Sequence, residues 1–193
     1  MKHVPNILSV SRIILTLALF FLSLILTNFV FSPIFLMLYA IIGLTDILDG
    51  FFARRFSAVS QLGANIDGIA DYILIFVSLV IIVPQLDLNT FSRGLILGFI
   101  ALKIISVIVG YIHYRQLMMM HTLAGKIAGL LAFSVPLVMH VIYIDVNTLA
   151  IFVGTFVYLA MLEKIAINIV SPEPLRDISG IYEAVLLRKR INA

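Results

Sequence analysis

Apolar residues run through this chain in blocks of bilayer length, with short polar interruptions between them. Stretches such as Ile13–Val30, Ile73–Val83 and Gly94–Val109 hold almost no charge. A membrane-crossing helix takes roughly 20 apolar residues, and so long a run fits lipid better than a soluble core. The pattern predicts six spans, at about 9–29, 33–53, 63–83, 94–114, 123–143 and 147–169. The segment "ILSVSRIIL", after Pro5 and Asn6, mixes polar and apolar positions at helical spacing. It predicts a helix lying in the membrane interface before the first span, with an early start of that span as the alternative. After the last span the tail carries Ile181, Val185 and Leu186 with Arg188–Arg190, a short amphipathic pattern suited to anionic headgroups. The expected fold is all-α: a polytopic membrane protein with six transmembrane helices and an N-terminal interfacial helix.

Composition agrees. Of 193 residues, 62% are hydrophobic and only 12% charged, about half the roughly 25% charge of a soluble domain. With no cysteine, disulfides, thiolate metal sites and cysteine nucleophiles are excluded. Residues 1–12 do not read as a cleaved signal, because the following apolar run is too long and no small-x-small site follows. The net charge of +3 says less than where the charges lie. Lys2, Arg12, Arg54, Arg55, Arg115, Lys126, Lys164, Arg176, Arg188, Lys189 and Arg190 gather at one set of connections, and the opposite set offers only Arg93. By the positive-inside rule both termini and the even-numbered connections face the cytoplasm. No linker-like stretch and no internal repeat interrupts the chain, so residues 1–193 are expected to form a single domain.

Ten acidic residues are present, and four of them, Asp46, Asp49, Asp67 and Asp71, fall between Thr45 and Asp71. Spacings of three and four place each pair on one helix face, and the short connection makes the two helices antiparallel neighbours. The carboxylates then face one another at similar depth, inside the expected cytoplasmic boundary. Four such charges repel, and each is costly in the membrane; within the window only Arg54 and Arg55 oppose them. Divalent cations resolve the repulsion. All-oxygen donors without His or Cys suit Mg²⁺, Mn²⁺ or Ca²⁺ rather than zinc, and paired metals are a recurrent device for displacement at phosphorus. Gly50, Ala53 and Gly63 leave room for close approach, and Arg54 carries a fork of N–H donors that suits phosphate. Singly, such small residues belong to ordinary packing of membrane helices; the four aspartates together do not.

The pattern Asp46-x2-Asp49-Gly50-x2-Ala53-Arg54-x8-Gly63-x3-Asp67-x3-Asp71 fixes eight positions over 26 residues. At each of them it resembles the signature of the CDP-alcohol phosphatidyltransferase family. The six-span layout extends the likeness along the chain, and "VPNILSVSR" is similar to the interfacial helix of bacterial members. The resemblance implies a reaction in which an acceptor hydroxyl attacks the phosphorus of CDP-diacylglycerol and CMP leaves. It also implies two divalent ions, Mg²⁺ or Mn²⁺, held by Asp46, Asp49, Asp67 and Asp71, with Asp71 as general base. Thr45, Gly50, Ala53, Arg54 and Gly63 would border the CDP group, and dimers are typical of the proteins it resembles.

Arg115 and Lys126 are the candidates for an anionic acceptor, with His121 and Thr122 beside them. Lys103 is expected in an ion pair with Glu163 or the aspartates, and His113 and His140 in packing or at the interface. Members that use glycerol 3-phosphate often follow the third aspartate with Pro and the fourth with Lys. This chain has Gly68 and Tyr72, and Gly125-Lys126 is followed by Ile127-Ala128 rather than Lys-Thr. Glycerol 3-phosphate is the expected acceptor, with serine or inositol phosphate left open. Three other classes fit less well: a UbiA-like prenyltransferase, which needs two separated Asp-rich motifs; a cation transporter, which would place its acids mid-membrane; and a non-catalytic scaffold, which would not need four acids.

Overall fold

The computed structural model describes residues 4–55, 61–115, 120–171, 173, 175 and 177–191. Seven α-helices make up nearly all of it: α1 (Val4–Ile25), α2 (Pro33–Arg55), α3 (Gln61–Ile82), α4 (Thr90–Tyr114), α5 (Leu123–Val141), α6 (Val146–Val170) and α7 (Ile181–Ile191). A 3-10 turn, Val83–Gln85, follows α3 where Pro84 ends the helix. Two short strands, β1 (His121–Thr122) and β2 (Asp177–Ile178), pair in parallel.

Among the described residues, five helices are long and apolar enough to cross a bilayer, over Ile7–Ile25, Ile66–Gln85, Thr90–Tyr114, Leu123–Val141 and Val146–Val170. The chain is therefore a multi-pass membrane protein. The second expected span is apolar only over Pro33–Asp46, although α2 runs on to Arg55. Its far half carries the acidic motif, so the residues that bring chemistry are the ones that dilute the hydrophobic signal.

Helix ends follow local chemistry. Ser32 caps α2, its Oγ accepting from Phe35 N–H at 3.2 Å, with Pro33 as the first helical residue. Asn89 caps α4 by accepting from Ser92 N–H at 2.8 Å, and Thr122 caps α5 by accepting from Gly125 N–H at 3.0 Å. Asp145 opens α6, accepting from both the N–H and the hydroxyl of Thr148. Those bonds favour its ionised form and hold the carboxyl below the usual range.

The chain divides into two compact units, Met1–Leu86 with Pro136–Val141, and Asp87–Val135 with Ile142–Ala193. In the first, α1 packs against both α2 and α3. Phe29, Phe35 and Tyr39 form an aromatic column, with Phe35 and Tyr39 stacked at 5.9 Å, beside buried Leu19, Leu36, Ile42, Ala70 and Val77. The inward stripe of α1 is Ser9, Arg12, Thr16 and Leu19, at helical spacing, while Ile7, Val10, Ile14, Leu17, Phe21 and Leu24 point outward. This corrects the expected interfacial helix. Val4–Ile25 is one uninterrupted helix, and its polar face points into the protein rather than toward water. In lipid the sense of amphipathicity is reversed, since the apolar face meets the solvent and the polar one must find partners inside.

In the second unit α4 packs along α6, and α7 folds back on α6. Met120, Ile167, Ile178 and Ala184 form a small core there, with Leu175 packed against it. Asn168, buried on α6, donates to the Ser106 carbonyl at 3.2 Å, and His113 packs edge-on against Tyr114 with its Nε2 3.1 Å from the Ser171 carbonyl oxygen. At Gly98 the side chain of Tyr158 on α6 lies against α4: a Cβ there would lie 2.0 Å from Tyr158 Oη, whose hydroxyl donates to the Leu95 carbonyl at 2.8 Å. Gly98→Ala must push Tyr158 aside and break that bond, at a cost of about 1–3 kcal/mol. Thermal unfolding in detergent should show a lower midpoint for Gly98→Ala and none of that loss for Gly94→Ala, where a Cβ meets nothing within 4 Å. Removing the hydroxyl as well, in Gly98→Ala with Tyr158→Phe, should recover part of it.

Candidate active site

The acidic motif lies in the first unit. Asp46 sits on α2, and Asp67 and Asp71 one turn apart on α3. Thr45 anchors its own turn by donating from Oγ1 to the Ile42 carbonyl at 2.7 Å. Asp46, Asp67 and Asp71 each offer a carboxylate oxygen, and these oxygens lie within 4.8 Å of one another. Two oxygens on opposite sides of one Mg²⁺ would stand about 4.2 Å apart, twice the usual bond length. The cluster is thus close to the width of a single hard-cation site, and its donors are the oxygen type such a cation takes. Three of the four aspartates singled out in the sequence thus form a cluster on two helices that could hold a metal ion.

Around them, Gly63 stands in the first turn of α3 and Gly68 is buried between Asp67 and Asp71. Asp49 follows Asp46 by one turn of α2, with Gly50, Ala53 and Arg54 behind it. The side chains of Asp49, Ala53 and Arg54 lie outside the described part, as does the side chain of His121.

The structure adds a basic residue to the cluster. Arg12, on the inward stripe of α1, is fully buried and reaches all three carboxylates. Its Nη1 donates to Asp46 Oδ1 and, at 3.1 Å, to Asp71 Oδ1; its Nη2 donates to Asp67 Oδ1. Among these four side chains, one guanidinium against three carboxylates leaves two formal negative charges uncompensated. Two like charges 5 Å apart repel by about 3 kcal/mol at an effective dielectric of about 20, so the arrangement still favours an added cation.

The expected acceptor residues belong to the second unit. Arg115 ends α4 in the left-handed conformation (φ 55°), its N–H donating to the Tyr111 carbonyl at 2.8 Å. Lys126 is exposed in the first turn of α5. A second lysine approaches the glycine that precedes Lys126. Lys164 crosses from α6 over Gly125, so closely that a Cβ at that glycine would lie 2.9 Å from Lys164 Cε and 3.2 Å from its Nζ. Glu163, the preceding residue, accepts from the Ile181 N–H at 3.3 Å and so ties α6 to the start of α7.

Comparison with known proteins places this geometry in context. Three relatives are each described as a CDP-diacylglycerol--glycerol-3-phosphate 3-phosphatidyltransferase. The protein from Aquifex aeolicus is 41% identical over 78 residues, 40% of this chain and 41% of its own. That from Rickettsia bellii is 30% identical over 101 residues, 50% of this chain and 53% of its own. That from Salmonella typhimurium is 31% identical over 81 residues, 42% of this chain and 43% of its own. The chain thus matches about half or less of the length of these relatives. No solved structure gives a significant match. The sequence pattern of the CDP-alcohol phosphatidyltransferases, in contrast, matches residues 2–171, from before α1 to the end of α6. With Asp46, Asp67 and Asp71 gathered in one carboxylate cluster and the match covering residues 2–171, this chain belongs to the CDP-alcohol phosphatidyltransferase family.

Proposed function

We propose that this protein moves a phosphatidyl group from CDP-diacylglycerol to glycerol 3-phosphate and releases CMP. The observation that carries the reading is the convergence of Asp46, Asp67 and Asp71 within 4.8 Å in a chain matched by the family over residues 2–171. The acceptor follows the names of the relatives. Residues 1–193 act as one domain with six spans, counting α2 as the second, and with both termini and the site on the cytoplasmic side, where Lys and Arg concentrate. A homodimer is the assembly we assign.

Asp46, Asp49, Asp67 and Asp71 hold two divalent cations, Mg²⁺ or Mn²⁺. When bound, these supply charge neutralisation for the pyrophosphate and stabilise the departing CMP. The chain's own residues do the rest. Thr45, Gly50, Ala53, Arg54 and Gly63 border the CDP group, the glycines leaving space for close backbone approach and Arg54 donating to a phosphate oxygen. Asp71 takes the proton from the acceptor hydroxyl as that oxygen attacks phosphorus, and the phosphorus–oxygen bond to CMP breaks. Arg115 and Lys126 hold the acceptor phosphate, with Lys164 beside Lys126 at the start of α5. Gly68 and Tyr72, which replace the Pro and Lys common in glycerol-phosphate users, mark where acceptor choice is decided.

Purified protein given CDP-diacylglycerol and, separately, glycerol 3-phosphate, serine, inositol or inositol phosphate tests the reading. CMP release with glycerol 3-phosphate, at least tenfold above the others, is expected. Release with a different acceptor rejects the assigned alcohol and keeps the chemistry. No release with any of the four rejects both.

A further inference from the structure

We propose that Arg12 is the built-in counter-cation of the carboxylate cluster, holding the aspartates together while no divalent cation is bound and weakening the site's hold on such cations. The inference rests on the reading of the cluster as a divalent-cation site. Its starting point is that Arg12 is fully buried, on the face of α1 turned away from lipid, and spends its guanidinium on Asp46, Asp67 and Asp71 alike. A buried guanidinium without carboxylates would be costly, and so would these carboxylates without a cation. Each stabilises the other across three helices.

The same contacts set up a competition. Arg12 engages the Oδ1 atom of every one of the three aspartates. A cation bound at 2.0–2.6 Å takes oxygens of these same carboxylates, so either the guanidinium withdraws or it stays hydrogen-bonded while the cation uses the carboxylates' remaining lone pairs. Even in the second case a unit positive charge stays next to the cation. Both routes act in one direction: Arg12 lowers cation affinity. A purely structural arginine would give the opposite result, because losing it would loosen the cluster and weaken cation binding.

Mn²⁺ titration of the full-length protein in detergent, followed by electron paramagnetic resonance of the free ion, separates the two. Arg12→Gln should bind Mn²⁺ at least tenfold more tightly than the wild type. Arg12→Lys, which keeps the charge and loses the planar fork, should fall between them. Thermal unfolding should move the other way in chelator, with Arg12→Gln melting below the wild type and gaining more from added Mn²⁺. If Arg12→Gln folds only with Mn²⁺, its affinity is read by withdrawing the ion with graded chelator. Unchanged or weaker Mn²⁺ binding in both variants overturns the role of Arg12 and leaves the cation site standing. Absence of Mn²⁺ binding in the wild type and variants alike overturns the cation site and this inference with it.

Discussion

Asp71→Asn will lower CMP release by about three orders of magnitude while the protein still folds and inserts. The size follows from the two duties assigned to one carboxylate. Removing a general base costs roughly 10²–10⁴ in rate, and the same substitution withdraws one charged oxygen from the cation site. Folding should survive because asparagine keeps the volume and still offers a carbonyl oxygen to Arg12 Nη1, which donates to Asp71 Oδ1 at 3.1 Å. The half-exposed position of Asp71, 38% accessible, also means that no tightly packed core surrounds the change. CMP release, the thermal midpoint and Mn²⁺ stoichiometry should be read on the same preparation. Turnover within tenfold of the wild type would remove Asp71 from the chemistry. Lost turnover with lost Mn²⁺ binding is the signature of the ligand duty, and lost turnover with Mn²⁺ retained is the signature of the base. In that last case residual activity should climb with pH, as hydroxide does the work of the missing carboxylate.

The aspartates were legible in the sequence because their signal is chemical as well as periodic. Charged residues are so rare in lipid-facing segments that four acids at spacings of three and four stand out, and the fold needed only to bring two helix ends together. Arg12 was hidden for the opposite reason. It lies 34 residues before Asp46, near the N-terminus, where basic residues are read as topology. The periodicity of Ser9, Arg12 and Thr16 was visible, but periodicity does not say which face turns inward. Water-based intuition sent the polar face outward to an interface, whereas the surrounding lipid sends it in. Lys164 was missed similarly: its contact with Gly125 joins α5 to α6, a tertiary approach with no mark in local sequence. The span count suffered from the motif itself, since the acidic residues of α2 leave only Pro33–Asp46 apolar.

Stripping divalent cations should abolish activity altogether, and restoring Mg²⁺ or Mn²⁺ should recover it. The argument is one of charge. Arg12 neutralises one of the three described carboxylates, Asp49 adds a fourth acid to the motif, and the pyrophosphate of the proposed donor lipid would bring further negative charge to the same place. Arg54 and Arg55 are the only basic residues between Thr45 and Asp71, too few to gather that much charge around a reacting phosphorus. Without added cations the proposed donor would be repelled before any chemistry starts, so both substrate binding and turnover should fail together. In excess chelator CMP release should drop below about one thousandth of its starting rate, and binding of a CDP-bearing lipid should be lost in parallel. Ca²⁺ offers a sharper check, since it takes longer bonds and more ligands than Mg²⁺. It should restore lipid binding better than turnover. Full activity in chelator, with metal content verified as negligible, would reject the cation site and leave the contacts of these three aspartates with Arg12 as structural ion pairs.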